Sequence, residues 1–464
     1  MAKKTADEIS PVMKTLATYI ANASKKPLPK HVVERTKHHT LDTIAAMVSG
    51  SRLPPGRAAI SYIKTLGGTK QSTVIGSKFV TTAEHAALAN GMLAHADETD
   101  DSHAPSLTHP GCGVVPAALA MAERERANGT QLIRAVALGY DVGSRLSLSL
   151  HAHDFREAGH STHTFGPMFG AAAAAGSLAK LNYDQCRWLL SYTVQQCSGV
   201  SCWMRDEEHI EKAFDFGGMP ARNGTAAAAM VSHGFTGVED ALSGERNFFH
   251  AYNEQGRIGK PPMPERLIEE LGSRFEVMRT NIKRWSVGSP IQAPLDGLLE
   301  LIRANNVKAD QVESLTVRVA HQGANTTDNR HMPDICMQHM CAVMLLDGIV
   351  TFESAHDEKR MKHPKVLAVR SKVNLLGDDE MAAAMPSRQA RLSLKLNDGR
   401  ELNTHVKAVL GTAQNPMTRA QVDEKCYHLM APILGKARAR KLCDAVWDIE
   451  KIGDVRKLRV LLQA

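Results

Sequence analysis

The run GPMFGAAAAAG, residues 166–176, decides how this chain folds. Alanine is the strongest helix former, and small side chains let one helix cross another closely. Pro167 suits a first helical turn, where its missing N–H costs nothing. No strand precedes the glycines and no Walker lysine follows, so the run reads as helix packing rather than a phosphate loop. A similar small-residue helix follows around Gly224 to Met230. Toward the N-terminus, Pro29 to Gly50 sets Val33, Thr36, Leu41, Ile44 and Met47 near helical spacing, and Gly50 ends the segment.

Toward the C-terminus the composition changes at GKPPMP, Gly259 to Pro264, which marks a boundary. Ser289-Pro290-Ile291-Gln292 then opens a helix, with Ser289 as cap and Gln292 at the capping-box position. Ile291, Leu295, Leu298, Leu299 and Ile302 form its apolar face. Leu315, Val317 and Val319 alternate with Thr316 and Arg318, as in a half-buried strand. Leu392, Leu394 and Leu396 alternate likewise, and Asn397-Asp398-Gly399 turns the chain into a partner strand ending near Val409. Thr418 to Leu462 returns to helix. The expectation is a mainly α protein: a helical domain over residues 1–270, an α+β insert over 271–410, and helices over 411–464 that rejoin the first domain.

At 464 residues the chain exceeds one compact core, which fits two domains. Hydrophobic residues at 43% and charged residues at 23% are globular usage, and 5% aromatics among plentiful Ala, Leu and Met favours helix. The formal charge of +7 is scattered, with no basic block, so no nucleic-acid footprint is expected. A mild positive balance suits anionic substrates. Cys197/Cys202 and Cys336/Cys341 have neither zinc-knuckle nor C-x-x-C spacing, so the cysteines read as free thiols of a reducing compartment. The opening MAKKTADEIS lacks a following apolar run and reads as no signal peptide. No stretch approaches the ~18 apolar residues of a membrane span, and a cytoplasmic location is expected.

The chemistry concentrates in HADETDDSHAPSLTHPG, residues 95–111. Asp97, Glu98, Asp100 and Asp101 crowd between His95 and His103, with Ser102 beside them and His109 just beyond. Neighbouring carboxylates raise one another's pKa, and a histidine supplies a base at working pH. Two other readings stand beside catalysis: a solvated helix end with Asp as cap, and a divalent-metal site. Because H-E-x-x-H and similar ligand spacings are absent, no metal is expected. A second cluster, His160, Ser161, Thr162 and His163, precedes the small-residue helix, where free N–H groups favour a carboxylate. Lys212, Lys283 and Arg284 are candidate cations for substrate carboxylates. No G-x-S-x-G elbow and no strand-borne G-x-G-x-x-G is present.

Together these residues resemble the MmgE/PrpD family of 2-methylcitrate dehydratases, cis-aconitate decarboxylases and an iminodisuccinate epimerase. The matches include Leu41-Asp42-Thr43, Ala86 to Gly91, His95 to Asp101, His109-Pro110, His160 with Thr162, Gly166 to Ala175, Met344 to Gly348, and Asn415-Pro416-Met417. The resemblance implies a large all-helical domain built from both chain ends, an inserted α+β lid domain, a homodimer, and a site between domains without metal or cofactor. Family site positions fall on Asp97 or Glu98, Ser102, His109, His160, Lys212, Lys283 and His339. The family's D-F-D-D-T run is replaced by Asp97-Glu98-Thr99 before Asp100-Asp101-Ser102, and a common lid Tyr becomes His339.

The implied activity is a lyase or isomerase on a small di- or tricarboxylate, by proton transfer next to a carboxylate. Its outcome is dehydration or decarboxylation, with epimerisation as the alternative on the same site. His109 is the expected proton handler, positioned or tuned by Asp97, Glu98, Asp100 and Asp101. Lys212 and Lys283 are expected to hold substrate carboxylates, with His160 as second acid/base. From other classes, the alternatives are a metal-dependent hydrolase using His95, Asp97 and His109, and a non-catalytic helical interaction protein.

Overall fold

The computed structural model describes residues 9–254 and 258–464. The opening residues 1–8, read above as no signal peptide, lie outside the described residues. The N-terminal stretch forms α1 (Pro11–Ala23), α2 (Lys30–Gly50), α3 (Pro54–Leu66), a ribbon of β1 (Ser72–Thr73) and β2 (Val80–Thr81), α4 (Ala83–Ala94), α5 (Pro110–Arg124) and α6 (Gly129–Ser149). It continues through α7 (Ala152–Glu157), α8 (Thr162–Leu178), α9 (Tyr183–Gln195), α10 (Ile210–Ala213) and α11 (Met219–Ser232). Next come α12 (Ser289–Asn305), β3 (Val312–Val319), α13 (His321–Thr327), α14 (Met337–Asp347), α15 (Phe352–Ala355) and α16 (Pro364–Arg370). The chain then makes β4 (Val373–Gly377), α17 (Asp379–Ala383), β5 (Ala390–Leu396) and β6 (Glu401–Val406), and ends in α18 (Arg419–Leu434), α19 (Lys436–Trp447) and α20 (Arg459–Leu462). The fold is mainly α. No helix among the described residues is long and apolar enough to cross a membrane.

Contacts divide the chain into two units. The first takes residues up to Ala96, Asp100–Thr280 and Arg419–Ala464; the second takes Asp97–Thr99 and Asn281–Thr418.

In the first unit α8 is buried along its whole length. Its glycines serve close crossing: a Cβ on Gly170 would meet the Gly139 carbonyl oxygen at 2.4 Å, and one on Gly143 would meet that of Gly166 at 2.7 Å. Helix α8 starts at Thr162 behind Ser161, so Pro167 lies inside it rather than in its first turn. There its missing N–H removes the bond that the His163 carbonyl would receive. Helix α2 is buried on all sides from Arg35 to Gly50. Two of its buried cations find backbone partners: Arg35 donates to the Thr280 carbonyl at 2.8 Å, and Lys37 to that of Trp447 at 2.7 Å. Lys425 of α18 lies 2.6 Å from the fully buried Asp42.

The second unit has a four-stranded sheet in the order β4-β3-β5-β6, with β3 and β4 parallel and the other pairs antiparallel. Helices α12 and α14 supply its apolar cover, with Leu295, Leu298 and Met344 in one core with Leu315, Val317 and Leu394. The expected capping box at α12 does not form. Gly288 is the cap, and the Gln292 amide instead bonds the backbone of Trp285 and Val287. The buried preceding loop needs those partners more than the helix end does. The hairpin's second strand stops at Val406, three residues short of the expected end.

Candidate active site

Residues 95–111 leave α4 and enter α5, and the chain closes a small loop on itself where His103 and Thr108 pair. Asp100 is fully buried, and each of its oxygens meets a different imidazole: His95 Nδ1 at 3.0 Å and His109 Nδ1 at 3.1 Å. Burial alone would push this carboxyl up. The two imidazoles, by charge and hydrogen bond, hold it well below the ordinary range. Asp100 is therefore a standing carboxylate that fixes both rings through Nδ1 and turns their Nε2 atoms outward from it.

Asp101 has a different task. Its Oδ1 accepts the Gly111 N–H at 3.0 Å, in the first turn of α5, and Oδ2 accepts the Tyr140 hydroxyl at 2.5 Å and lies 2.7 Å from His39 Nδ1. A Cβ on Gly111 would sit 2.7 Å from Asp101 Oδ1 and 2.8 Å from the Tyr140 hydroxyl, so only glycine admits this anchor. His109 caps the helix that Asp101 holds.

Around His109 stand His163, with ring centroids 5.3 Å apart, and Phe216 at 5.4 Å. The Lys212 ammonium lies 5.3 Å from the Phe216 centroid and 5.7 Å from that of Trp203. Burial first, then the electrostatic influence of His109, Arg156, His95 and Lys212, pushes His163 well below the ordinary histidine range. His163 is thus neutral at neutral pH beside a cation and a proton-sharing pair. Such a setting suits an anionic ligand and proton transfer to or from it.

Residues 14–259 match the MmgE/PrpD N-terminal domain, and residues 285–449 match the MmgE/PrpD C-terminal domain. The chain belongs to the MmgE/PrpD family. It is 22% identical over 491 residues to a cis-aconitate decarboxylase of Aspergillus terreus, covering 100% of this chain and 98% of that protein. A cis-aconitate decarboxylase-like protein of Aspergillus oryzae is 24% identical over 476 residues, 96% of each chain. Human cis-aconitate decarboxylase is 24% identical over 463 residues, covering 97% of this chain and 94% of that one.

In this MmgE/PrpD member the other expected site residues are distributed as follows. Thr162 donates to the Leu107 carbonyl at 2.6 Å, and Ser102 is half-buried on the same loop. His103 is drawn into a structural pair, with Ser106 Oγ 2.7 Å from Nδ1 and Glu276 3.1 Å from Nε2. His160 is not in the ring contacts of His109; it stacks on Phe155 at 4.4 Å and meets Tyr252 edge-on at 5.8 Å. In the second unit, Lys283 donates to the Glu98 carbonyl at 2.9 Å and lies 3.1 Å from its carboxylate. Asp97 accepts from Thr99, 2.6 Å from its hydroxyl, and pairs with His356 at 3.0 Å. Arg284 stacks on Trp285 at 4.4 Å and meets Asp296 at 3.0 Å. His339 is fully buried in the first turn of α14, neither ring nitrogen has a hydrogen-bond partner, and burial with Arg370 and Arg360 nearby pushes it down to about 4.

Among the described residues of the first unit, His95, Asp100 and His109 bring metal-ligand atoms within 4.8 Å of one another. Both imidazoles already share Asp100 at hydrogen-bond separations, which is also the arrangement of a proton-sharing relay. His39, Tyr140, Phe216 and His356 join these networks without having been singled out in the sequence. A doublet of histidines inside α2 offered a weak sign of His39; a lone phenylalanine in FDFGG offered none.

Proposed function

We propose that the protein is a lyase acting on a small polycarboxylate, with His109 moving the proton, and that the reaction is decarboxylation of a cis-aconitate-like tricarboxylate. The observation that carries this reading is Asp100 set between His95 and His109 at the head of α5. A carboxylate behind an imidazole stabilises its protonated form and fixes its orientation. Full-length relatives named as cis-aconitate decarboxylases support the substrate class. Lys212 would attract a carboxylate of the substrate, and neutral His163 would offer a hydrogen bond beside it.

In the proposed step, the bond from carbon to one carboxylate breaks and carbon dioxide leaves. The electron pair shifts through the adjacent double bond to the far carbon, which takes the proton of His109, and water later reprotonates the imidazole. The same proton handling serves dehydration when hydroxide leaves instead, and epimerisation when the proton returns to the opposite face. The proposed chemistry uses side-chain acids and bases alone. Stoichiometric bound metal with chelator-sensitive turnover would favour a metal-dependent hydrolase instead.

The deciding experiment is proton NMR of turnover in deuterated water, with cis-aconitate and citrate-like acids as substrates. It separates carbon dioxide loss, alkene formation and silent α-proton exchange. His109→Ala should lower the rate by about 10²–10⁴-fold, as removal of a general acid–base group does; activity within a few-fold of wild type would remove His109 from the chemistry. The anchoring role expected of Lys283 is a separate proposal, and unchanged saturation behaviour in Lys283→Ala would count against it.

A further inference from the structure

We infer that Phe216 is a positioning residue: its ring sets the planes of His95 and His163, and through them the arrangement of basic groups around His109. The inference gives a further residue to the reaction proposed above and rests on that reading for its kinetic consequence.

Phe216 is 1% exposed and lies in a π-turn, Phe214–Gly218, between α10 and α11. Such wider turns add a residue to the helix and re-aim a side chain. His163 stacks on Phe216 with centroids 3.7 Å apart and planes 8° apart. His95 stacks on it at 4.3 Å and 16°, while Trp203 closes on it edge-on at 4.6 Å. Three imidazoles and the Lys212 ammonium thus surround one phenyl ring.

The turn that carries this ring is pinned to the two helix heads that carry His109 and His163. The Cys112 sulfur of α5 lies 3.1 Å from the His109 carbonyl and 3.3 Å from the Phe216 carbonyl. From the start of α8, Thr164 donates to the Asp215 carbonyl at 2.8 Å, and the Ser161 hydroxyl donates to the Asp215 carboxylate. On the far side a Cβ on Gly217 would sit 2.1 Å from the Gly91 carbonyl oxygen, so α4 presses directly on the turn. The ring therefore has little freedom to move.

A hydrogen bond that orients an imidazole consumes one of its two nitrogens. Stacking orients the ring and leaves the nitrogens to a ligand. His163 fits this use: it is 7% exposed, and its Nδ1 is buried without a hydrogen-bond partner. A rigid, uncharged ring between the imidazoles fixes their spacing without taking up their nitrogens.

The test compares Phe216→Leu and Phe216→Met, which keep bulk but lose the ring face, with Phe216→Tyr, which keeps it. With cis-aconitate as substrate, the Leu and Met variants should lose at least tenfold in kcat while Phe216→Tyr stays within about threefold of wild type. If Leu and Met hold kcat and KM within threefold and lose only thermal stability, Phe216 merely fills space and the inference falls. Histidine-selective NMR of the full chain without substrate supplies a second arm that does not depend on activity. Two imidazoles, identified as His95 and His163 by His95→Asn and His163→Asn, should carry ring-current shifts in wild type and in Phe216→Tyr. Absence of those shifts in wild type overturns the inference without calling on any variant to fold. If wild type does not turn over cis-aconitate, the proposed reaction fails and the NMR arm alone decides the role of Phe216.

Discussion

Asp100 is the residue on which the candidate site turns, because it gives one oxygen to each of two histidines. Asp100→Asn keeps the shape but replaces one acceptor oxygen by a donor and removes the charge. We expect a fall in kcat approaching that of His109→Ala, with KM for cis-aconitate changed less; equal kcat in Asn and wild type would show that the charge is idle. His356 offers a prediction in pH. Burial would lower it, but the hydrogen bond and charge of Asp97 dominate and raise it to about 9. A histidine raised in the folded state stabilises fully below its unfolded pKa of about 6.5, and the contribution disappears as pH rises through about 9. His356→Gln should therefore cost most near pH 6, roughly 3 kcal/mol at the upper limit set by the shift, and almost nothing by pH 10. Thermal melts across that range check it, and a pH-independent difference would show that the pair contributes through packing alone.

At the scale of elements, the head of α5 is held from outside the helix. Tyr140 of α6 and His39 of α2 meet at Asp101, which accepts the Gly111 N–H. Tyr140→Phe removes a hydrogen bond to a buried charge and should lower stability by about 1.5–3 kcal/mol in denaturant unfolding. A loss below about 0.5 kcal/mol would mean that Asp101 is held well enough by its other partners. Helices such as α2 and α8, and the hairpin of β5 and β6, were legible because periodicity, small-residue runs and turn residues are local signals. The start of α8 was not, since Pro167 looked like a first-turn residue and nothing local revealed that Ser161 caps the helix. The loop at 95–111 could be singled out from its composition, yet composition does not separate Asp100 from Asp101. Their tasks depend on which helices bring His39, Tyr140 and His109 to them. Phe216 escaped for the same reason: its partners lie at residues 95, 109 and 163, and the π-turn has no strong sequence signature.

For the whole molecule, the first unit is assembled from both ends of the chain, with α18 packed on α2. Lys425 meets Asp42 across 383 residues of sequence. Burial pushes the Asp42 carboxyl up, against the pull of Lys425, to about 6. Lys425→Met should cost about 3–5 kcal/mol at pH 8, the penalty of stranding a buried charge. The loss should shrink as pH falls from 8 toward 6, because without the pull of Lys425 the Asp42 carboxyl is pushed higher still and takes up a proton before it does in wild type. A cost that stayed constant from pH 5 to 8 would show that the charge of Lys425 is not what matters.

That long-range pair also bears on how the protein is made. Synthesis delivers α2, with its aspartate, long before the ribosome releases α18, which covers one of its sides. Until residue 425 emerges, α2 can pack on α4, α5 and α6 but keeps the side that α18 covers open, so the first unit cannot finish closing before the end of its own translation. A chain terminated after Thr418 should therefore be recovered mainly in aggregates or bound to chaperones, and a stalled nascent chain of that length should stay protease-sensitive.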